Sequence, residues 1–284
     1  MRFTFIDAEK ATWPVRVVCR VLLVSPAGYY AWRKRPESAR ARENRRLAVL
    51  VRAAHEKGRQ TYGSPRVHAA LAADGVRVSR KRVIRLMQGQ GLRGRGRRQY
   101  VRTTDSSNAE NIAPNVLNRD FAATAPNEKW VGDVTYLWTP EGWLYLAVIL
   151  DLYSRFVVGW ALSRVNDRHL ARRALDAAVV RRAPPDGLLH HTDQGSPYGS
   201  GDYTGALNKL GFRQSMSRRG NCYDNAVMES FFNTLKLELG ERFESLPDAE
   251  RKLFDFIEVF YNGTRIHTSI GFVSPRAFER AGVA

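Results

Sequence analysis

Lys129-Trp-Val-Gly-Asp-Val-Thr-Tyr-Leu-Trp138 is the stretch on which the fold turns. Its β-branched and aromatic residues suit a pleated strand. Yet Asp133 stands in the strand interior, where a carboxylate facing a core needs a partner or a cation. Working outward, the apolar runs 144–150 and 156–162 follow through short turns, Pro140-Glu-Gly142 and Tyr153-Ser-Arg155. With 130–138 they read as a three-stranded antiparallel meander. A helix is expected over 168–182, stopped by Pro184-Pro185, then a strand at 188–192, a helix at 203–210 and a strand at 212–217. Helices near 224–239 and 248–261 complete the pattern. Three antiparallel strands followed by strand–helix alternation build a mixed five-stranded sheet with helices on both faces.

Two further acids join Asp133. Asp193 closes the run Leu188-Leu-His-His-Thr-Asp193, just before Gln194-Gly195. Glu229 lies in the helical stretch Tyr223-Asp-Asn-Ala-Val-Met-Glu-Ser-Phe-Phe-Asn-Thr-Leu-Lys236, with 35 residues between it and Asp193. In the expected sheet, Asp133 and Asp193 come side by side, and Glu229 arrives from a helix packed across that edge. Taken singly, each has an ordinary reading: a turn or cap for Asp193, an exposed helical acid for Glu229. Together they suit hard divalent cations, which need a few carboxylates plus the substrate's own phosphate oxygens. Paired ions of that kind serve in-line phosphoryl displacement. Of the neighbouring residues, Trp130, Trp143 and Trp160 are expected in the core. Of His190 and His191, one should face in and the other out.

Charge indicates the substrate. The chain holds 45 Lys+Arg against 28 Asp+Glu, a formal net charge of +17. Residues 1–125 carry 26 basic and 9 acidic side chains, whereas 126–284 carry 19 of each. The whole excess thus lies in the front half, as for a protein that grips a polyanion with one part and cuts it with another.

That front half reads as helical. Leu47, Leu50, Val51 and Ala54 share one helix face, with Gly58 as a stop. Ser25-Pro26 signals a further helical pair within 17–32, and Ser64-Pro65 signals a cap opening 66–73, which Asp74-Gly75 ends. Ser79 then opens a helix whose first turn is Arg80, Lys81 and Arg82, with Arg85 following. A short helix, a glycine turn and a second helix led by cations is the pattern of a helix-turn-helix presenting its N-terminus to a DNA groove. Arg93, Arg95, Arg97 and Arg98 alternate with small residues and can track phosphates. The expected organisation is a basic helical DNA-binding region at 1–98, a linker at 99–125 and a catalytic core at 126–284. No stretch reads as a signal peptide or membrane span. Two cysteines, Cys19 and Cys222, form neither a disulfide framework nor a zinc site. A cytoplasmic location is expected.

The order strand-Asp, strand-Asp, 35 residues, helix-Glu resembles the DDE catalytic core of retroviral integrases and transposases, which has a ribonuclease-H-like fold. More narrowly, the chain resembles the second-reading-frame product of insertion-sequence transposases of the IS-three family. The matching stretches are Tyr62-Gly-Ser-Pro-Arg-Val67, Asn118-Arg-Asp-Phe121, Trp130-Val-Gly-Asp-Val-Thr-Tyr136, His191-Thr-Asp-Gln-Gly-Ser-Pro-Tyr198, Ser217-Arg-Arg-Gly-Asn-Cys-Tyr-Asp-Asn-Ala226, Glu229-Ser-Phe-Phe232 and Tyr261-Asn262. The resemblance implies that Asp133, Asp193 and Glu229 bind two Mg²⁺ (or Mn²⁺) ions. It implies that Lys236 reaches the DNA backbone near the cut, while Asn225 and Arg219, near the expected site, are candidates for positioning the substrate. The implied activity is strand cleavage by water at a mobile element's end, then attack of the freed 3′-hydroxyl on another DNA phosphate. The implied partners are double-stranded element ends and target DNA, a homo-oligomer on that DNA, and an upstream reading-frame product joined by frameshift fusion. On that expectation this chain starts after the fused segment, and it lacks the His/Cys zinc module of retroviral integrases.

Overall fold

A computed structural model describes residues 1–96, 112–240 and 243–282. Arg97, Arg98 and the first part of the expected linker lie outside the described residues. The chain forms two compact units, Met1–Leu50 and Val51–Ala284.

The first unit holds α1 (Arg2–Glu9), α2 (Val15–Val21), α3 (Pro26–Lys34) and the start of α4 (Ala39–Lys57). Ser25 caps α3 by accepting from the Gly28 N–H, with Pro26 at the first helical position. Ile6, Val18, Cys19 and Tyr29 are the buried centre of this unit.

In the second unit, α5 (Ser64–Ala73) and α6 (Arg80–Gly89) pack together, joined by a turn through Gly75 at φ +76°. Ser79 caps α6 as the sequence suggests, but α5 is capped by Gly63, and Ser64 already belongs to the helix. Next come β1 (Lys129–Thr139), β2 (Gly142–Asp151), β3 (Val157–Ser163), α7 (Arg168–Arg182), β4 (Leu189–Thr192), α8 (Gly201–Lys209) and β5 (Arg213–Met216). The chain continues through a 3₁₀ turn (Cys222–Asn225) into α9 (Ala226–Leu239), then α10 (Leu246–Phe254). α10 runs on into a π-helical segment (Asp255–Tyr261), and α11 (Pro275–Gly282) is the last described helix.

The five strands lie in the order β3-β2-β1-β4-β5, with β1–β2 and β2–β3 antiparallel and β1–β4 and β4–β5 parallel. This mixed ribonuclease-H-like sheet is the one the alternating pattern predicts. On one face Trp130, Ile149 and Val158 meet Leu170, Leu175, Tyr203 and Leu207 from α7 and α8. Contact there is close enough that a Cβ on Gly159 would stand 2.3 Å from the Ala174 carbonyl oxygen. Only glycine permits that approach of helix to strand.

Three side chains depart from expectation. Trp143 is exposed on one face of the β1–β2 hairpin, while its neighbour Leu144 on the other face is buried. Trp130 is buried, whereas Trp160 is half-buried and donates its Nε1–H to Glu258 at 2.8 Å. Neither His190 nor His191 faces out: β4 is central and covered on both faces, so both rings are fully buried. Among the described residues no helix is long and apolar enough to cross a membrane.

Candidate active site

Parallel pairing of β1 with β4 sets Trp130 opposite His190 and Val131 opposite His191. Two residues further along each strand stand Asp133 and Asp193. Equal offsets in a parallel pair put them at one height, and period-two alternation puts them on one face. Asp193 lies just past the end of β4, where the chain turns. Its Oδ1 accepts from the Gly195 N–H at 2.9 Å, and a Cβ at 195 would press against that same oxygen at 2.9 Å. This accounts for Gly195 directly after the acid and Gln194.

Asp133 accepts from the Val134 N–H at 2.8 Å and from the Asn225 side-chain amide at 3.1 Å. Burial pushes its carboxyl well above the usual carboxylate range, and the charges of Asp193 and Glu229 push the same way against Lys236. Burial likewise raises Asp193, opposed by the Gly195 N–H. Two adjacent acids are therefore held where their ionised forms are under strain. Glu229 is exposed in the first turn of α9, which packs on β1. Lys236, two turns on, places Nζ 5.2 Å from the centroid of the Tyr136 ring.

A fourth carboxylate, which the sequence did not single out, anchors this corner. Asp224 is fully buried and accepts from Asn115 Nδ2 (2.9 Å), Arg119 Nε (2.8 Å), Arg218 Nε (2.9 Å) and Arg218 Nη2 (2.8 Å). The Arg218 side chain, first among these, holds its carboxyl far below the ordinary value. The clamp ties the segment before β1 and the loop after β5 to the residue preceding Asn225. Arg218, not Arg219, makes these bonds, and Arg219 is exposed. Nothing local in sequence signals a contact between residues 119 and 224.

The Tyr62-Gly-Ser-Pro-Arg stretch serves a different network. Tyr62 Oη accepts from the Ile266 N–H at 2.7 Å, Arg66 approaches Glu238 at 3.5 Å, and Arg265 pairs with Glu238 at 2.7 Å. These bonds join α5, the end of α9 and the C-terminal segment. Of the cations expected to meet DNA, Arg80, Lys81, Arg85 and Arg93 are exposed, and Arg82 is half-buried. Arg95 is exposed but gives one N–H to the Leu237 carbonyl at 2.8 Å, at the end of α9.

Among the described residues no group of three or more His, Cys, Asp and Glu side chains closes into a ready cation cage. Asp133 and Asp193 instead turn their oxygens to nearby amides. The donor set nevertheless fits a hard divalent ion. Two carboxylates adjoin, a third stands on the helix packed against them, and the Asn225 Oδ1 beside Asp133 is buried with no hydrogen-bond partner.

Comparison with known proteins agrees with this architecture. An integrase core domain matches residues 123–222 and again 210–275, and an HTH-like domain matches 41–100. The chain is 43% identical over 264 residues to an uncharacterized 31 kDa protein of insertion element IS600 from Shigella sonnei, covering 92% of this chain and 97% of that one. It is 40% identical over 288 aligned positions, 100% of both chains, to transposase InsF for insertion sequence IS3A from Escherichia coli strain K12. Among solved structures, the simian T-cell lymphotropic virus intasome in complex with PP2A regulatory subunit B56 gamma is similar at 17% identity and TM-score 0.47, over 74% of this chain and 69% of that one. The HTLV-2 integrase catalytic core domain in complex with magnesium is similar at 17% identity and TM-score 0.41, over 56% and 99%. With an integrase core spanning the acid-bearing sheet and α9, and a named transposase aligned from end to end, this chain belongs to the IS3 family of insertion-sequence transposases.

Proposed function

We propose that this transposase cleaves a DNA strand at the ends of a mobile element and transfers the freed 3′-hydroxyl to another phosphodiester, using Asp133, Asp193 and Glu229 as its catalytic acids. What supports the reading is the parallel pairing of β1 with β4, which sets Val131 opposite His191 two residues before Asp133 and Asp193, together with the packing of α9, the helix of Glu229, on β1. Both steps exchange one P–O bond for another, so no enzyme nucleophile is required. Two Mg²⁺ (or Mn²⁺) ions bound by these acids would activate the attacking oxygen and stabilise the leaving one.

The chain's own residues do the rest. Asn225 holds Asp133 by its amide N–H, and its Oδ1, buried with no hydrogen-bond partner, is a further oxygen donor beside that carboxylate. Arg219 and Lys236 supply cations to the backbone beside the scissile bond. Arg80, Lys81, Arg82, Arg85, Arg93 and Arg95, with Arg97 and Arg98, grip double-stranded DNA in a basic 1–98 region, joined through 99–125 to the core at 126–284. Assembly as a homo-oligomer on DNA, fusion to an upstream reading-frame product and work at the nucleoid in the cytoplasm complete the reading.

The test is an end-cleavage and strand-joining assay with candidate terminal repeats and Mg²⁺. Asp133→Asn and Asp193→Asn should each lower both steps by on the order of 10³-fold, since several kcal/mol of charge stabilisation is lost. DNA affinity should stay within a few-fold. Joining at wild-type rate by Asp133→Asn would refute the assignment.

A further inference from the structure

Past Asp133, the β1–β2 hairpin carries aromatic side chains that have no core to fill. Tyr136, Trp138 and Trp143 leave 38%, 54% and 47% of their surfaces exposed. Antiparallel register sets Trp138 opposite Trp143 and Tyr136 opposite Tyr145, so the three exposed rings share one face of the ribbon. Trp143 meets both others edge to face, with centroids 5.1 Å from Tyr136 and 5.0 Å from Trp138. Leu137 and Thr139, at the alternate positions, are buried. The turn is fixed as well. Thr139 Oγ1 donates to the Gly142 carbonyl at 2.8 Å, and Glu141 accepts from the Leu246 N–H at 2.7 Å. A rigid cluster of exposed rings marks an interaction surface, because packing has already claimed the other face.

Its cation and its position narrow the partner. Lys236 stands over the Tyr136 ring and acts on the Asp133 carboxyl as well. Tyr136 follows Asp133 by three residues, roughly 10 Å at the rise of a strand and on the opposite face of β1, and Lys236, which acts on both, links the two faces past the last β1–β4 pair at Val131 and His191. Ring faces beside an ammonium suit a nucleobase joined to a phosphate, since stacking takes any base and the cation takes the backbone. A paired base inside a duplex offers no free face, so the base must be unpaired.

We propose that Tyr136, Trp138 and Trp143 form a stacking platform for unpaired bases of the DNA strand whose phosphodiester lies at Asp133 and Asp193. The proposal rests on the strand-transfer reading for the identity of that strand. It supplies what the acids lack, a hold on the bases beside the cut that does not depend on their sequence.

The experiment uses the full chain in EDTA, so that no strand is cut, with two probes: a blunt duplex, and the same duplex carrying a short single-stranded extension that contains 2-aminopurine. Wild type should quench the 2-aminopurine and bind the extended probe on the order of tenfold more tightly than the blunt one. Trp138→Ala and Trp143→Ala should lose both the quenching and the preference, leave blunt-duplex affinity unchanged, and keep wild-type thermal unfolding. Trp143→Phe should restore the preference. Preference surviving in the Trp138→Ala/Trp143→Ala double variant would overturn the proposal. So would variants that alter only the oligomeric state in sedimentation, since the rings would then meet a second copy of the chain. If Asp133→Asn still joined strands, the catalytic assignment would fall, while the quenching result would decide the platform separately.

Discussion

Glu238, in the last turn of α9, and Arg265 form a two-pronged ion pair, Nε to Oε2 and Nη2 to Oε1, each at 2.7 Å, with both side chains 4% exposed. Arg66 of α5 approaches the same carboxylate at 3.5 Å, and Tyr62 closes the network on the Ile266 N–H. The helix that presents Glu229 and Lys236 is thus fastened at its far end by charges withdrawn from water. Such a pair gives geometry more than net stability, but removing one member strands the other.

Glu238→Ala should therefore destabilise the fold by about 3–5 kcal/mol, read as a lowered denaturant midpoint at unchanged slope. Arg265→Lys should recover only part of the loss, because an ammonium cannot make the paired contact. Tyr62→Phe, which leaves the Ile266 N–H without its acceptor, should cost about 1–3 kcal/mol. A Glu238→Ala chain as stable as wild type would show that the network does not hold α9.

Asp224→Asn removes the countercharge of Arg218 and Arg119 next to Asn225. It should cost stability, and lower kcat for cleavage more than it raises KM, because Asn225 loses the neighbour that orients it. Arg219→Ala, at an exposed residue, should leave unfolding unchanged. Equal kcat for Asp224→Asn and wild type would separate the clamp from catalysis.

Basic side chains should govern affinity. Lys236→Ala and Arg85→Ala should each weaken DNA binding alike across sequences, and each should reduce the slope of log K against log salt by about 1 in magnitude. Titrations between 50 mM and 200 mM salt measure this. An unchanged slope for Arg85→Ala would take α6 off the phosphate backbone.

Acid should destabilise the protein through its buried histidines. Burial depresses His190 to about 3 and His191 to about 4. Burial, then the charges of Arg265, Arg66 and Arg155, holds His267 well below the ordinary value of 6.5. The unfolded chain takes up these protons near 6.5 while the folded chain resists them. Stability is thus fully present above 6.5 and falls as pH drops through the window toward 4 and 3. Melting temperature followed from pH 7.5 to 4.5 should decline, and His267→Gln should make the decline shallower. A flat profile would mean that these rings protonate in the folded state.

Much of the fold was legible because its signals are local. β-Branched and aromatic runs, proline stops and the cap at Ser79 each act within a few residues, so the strands themselves, α7 and α6 follow from pattern. Asp133, Asp193 and Glu229 stood out as acids in unlike surroundings at a defined spacing. Sequence also identified the charge imbalance and the family. Tertiary structure alone decided that Asp224 is gripped by Arg119 and Arg218, that Glu238 meets Arg265 and Arg66, and that both His190 and His191 are buried while Trp143 is not. Those outcomes depend on which strand is central, where a covering helix ends and which distant charges meet once water is excluded. A one-dimensional pattern carries none of these, because burial and long-range pairing are properties of the closed surface.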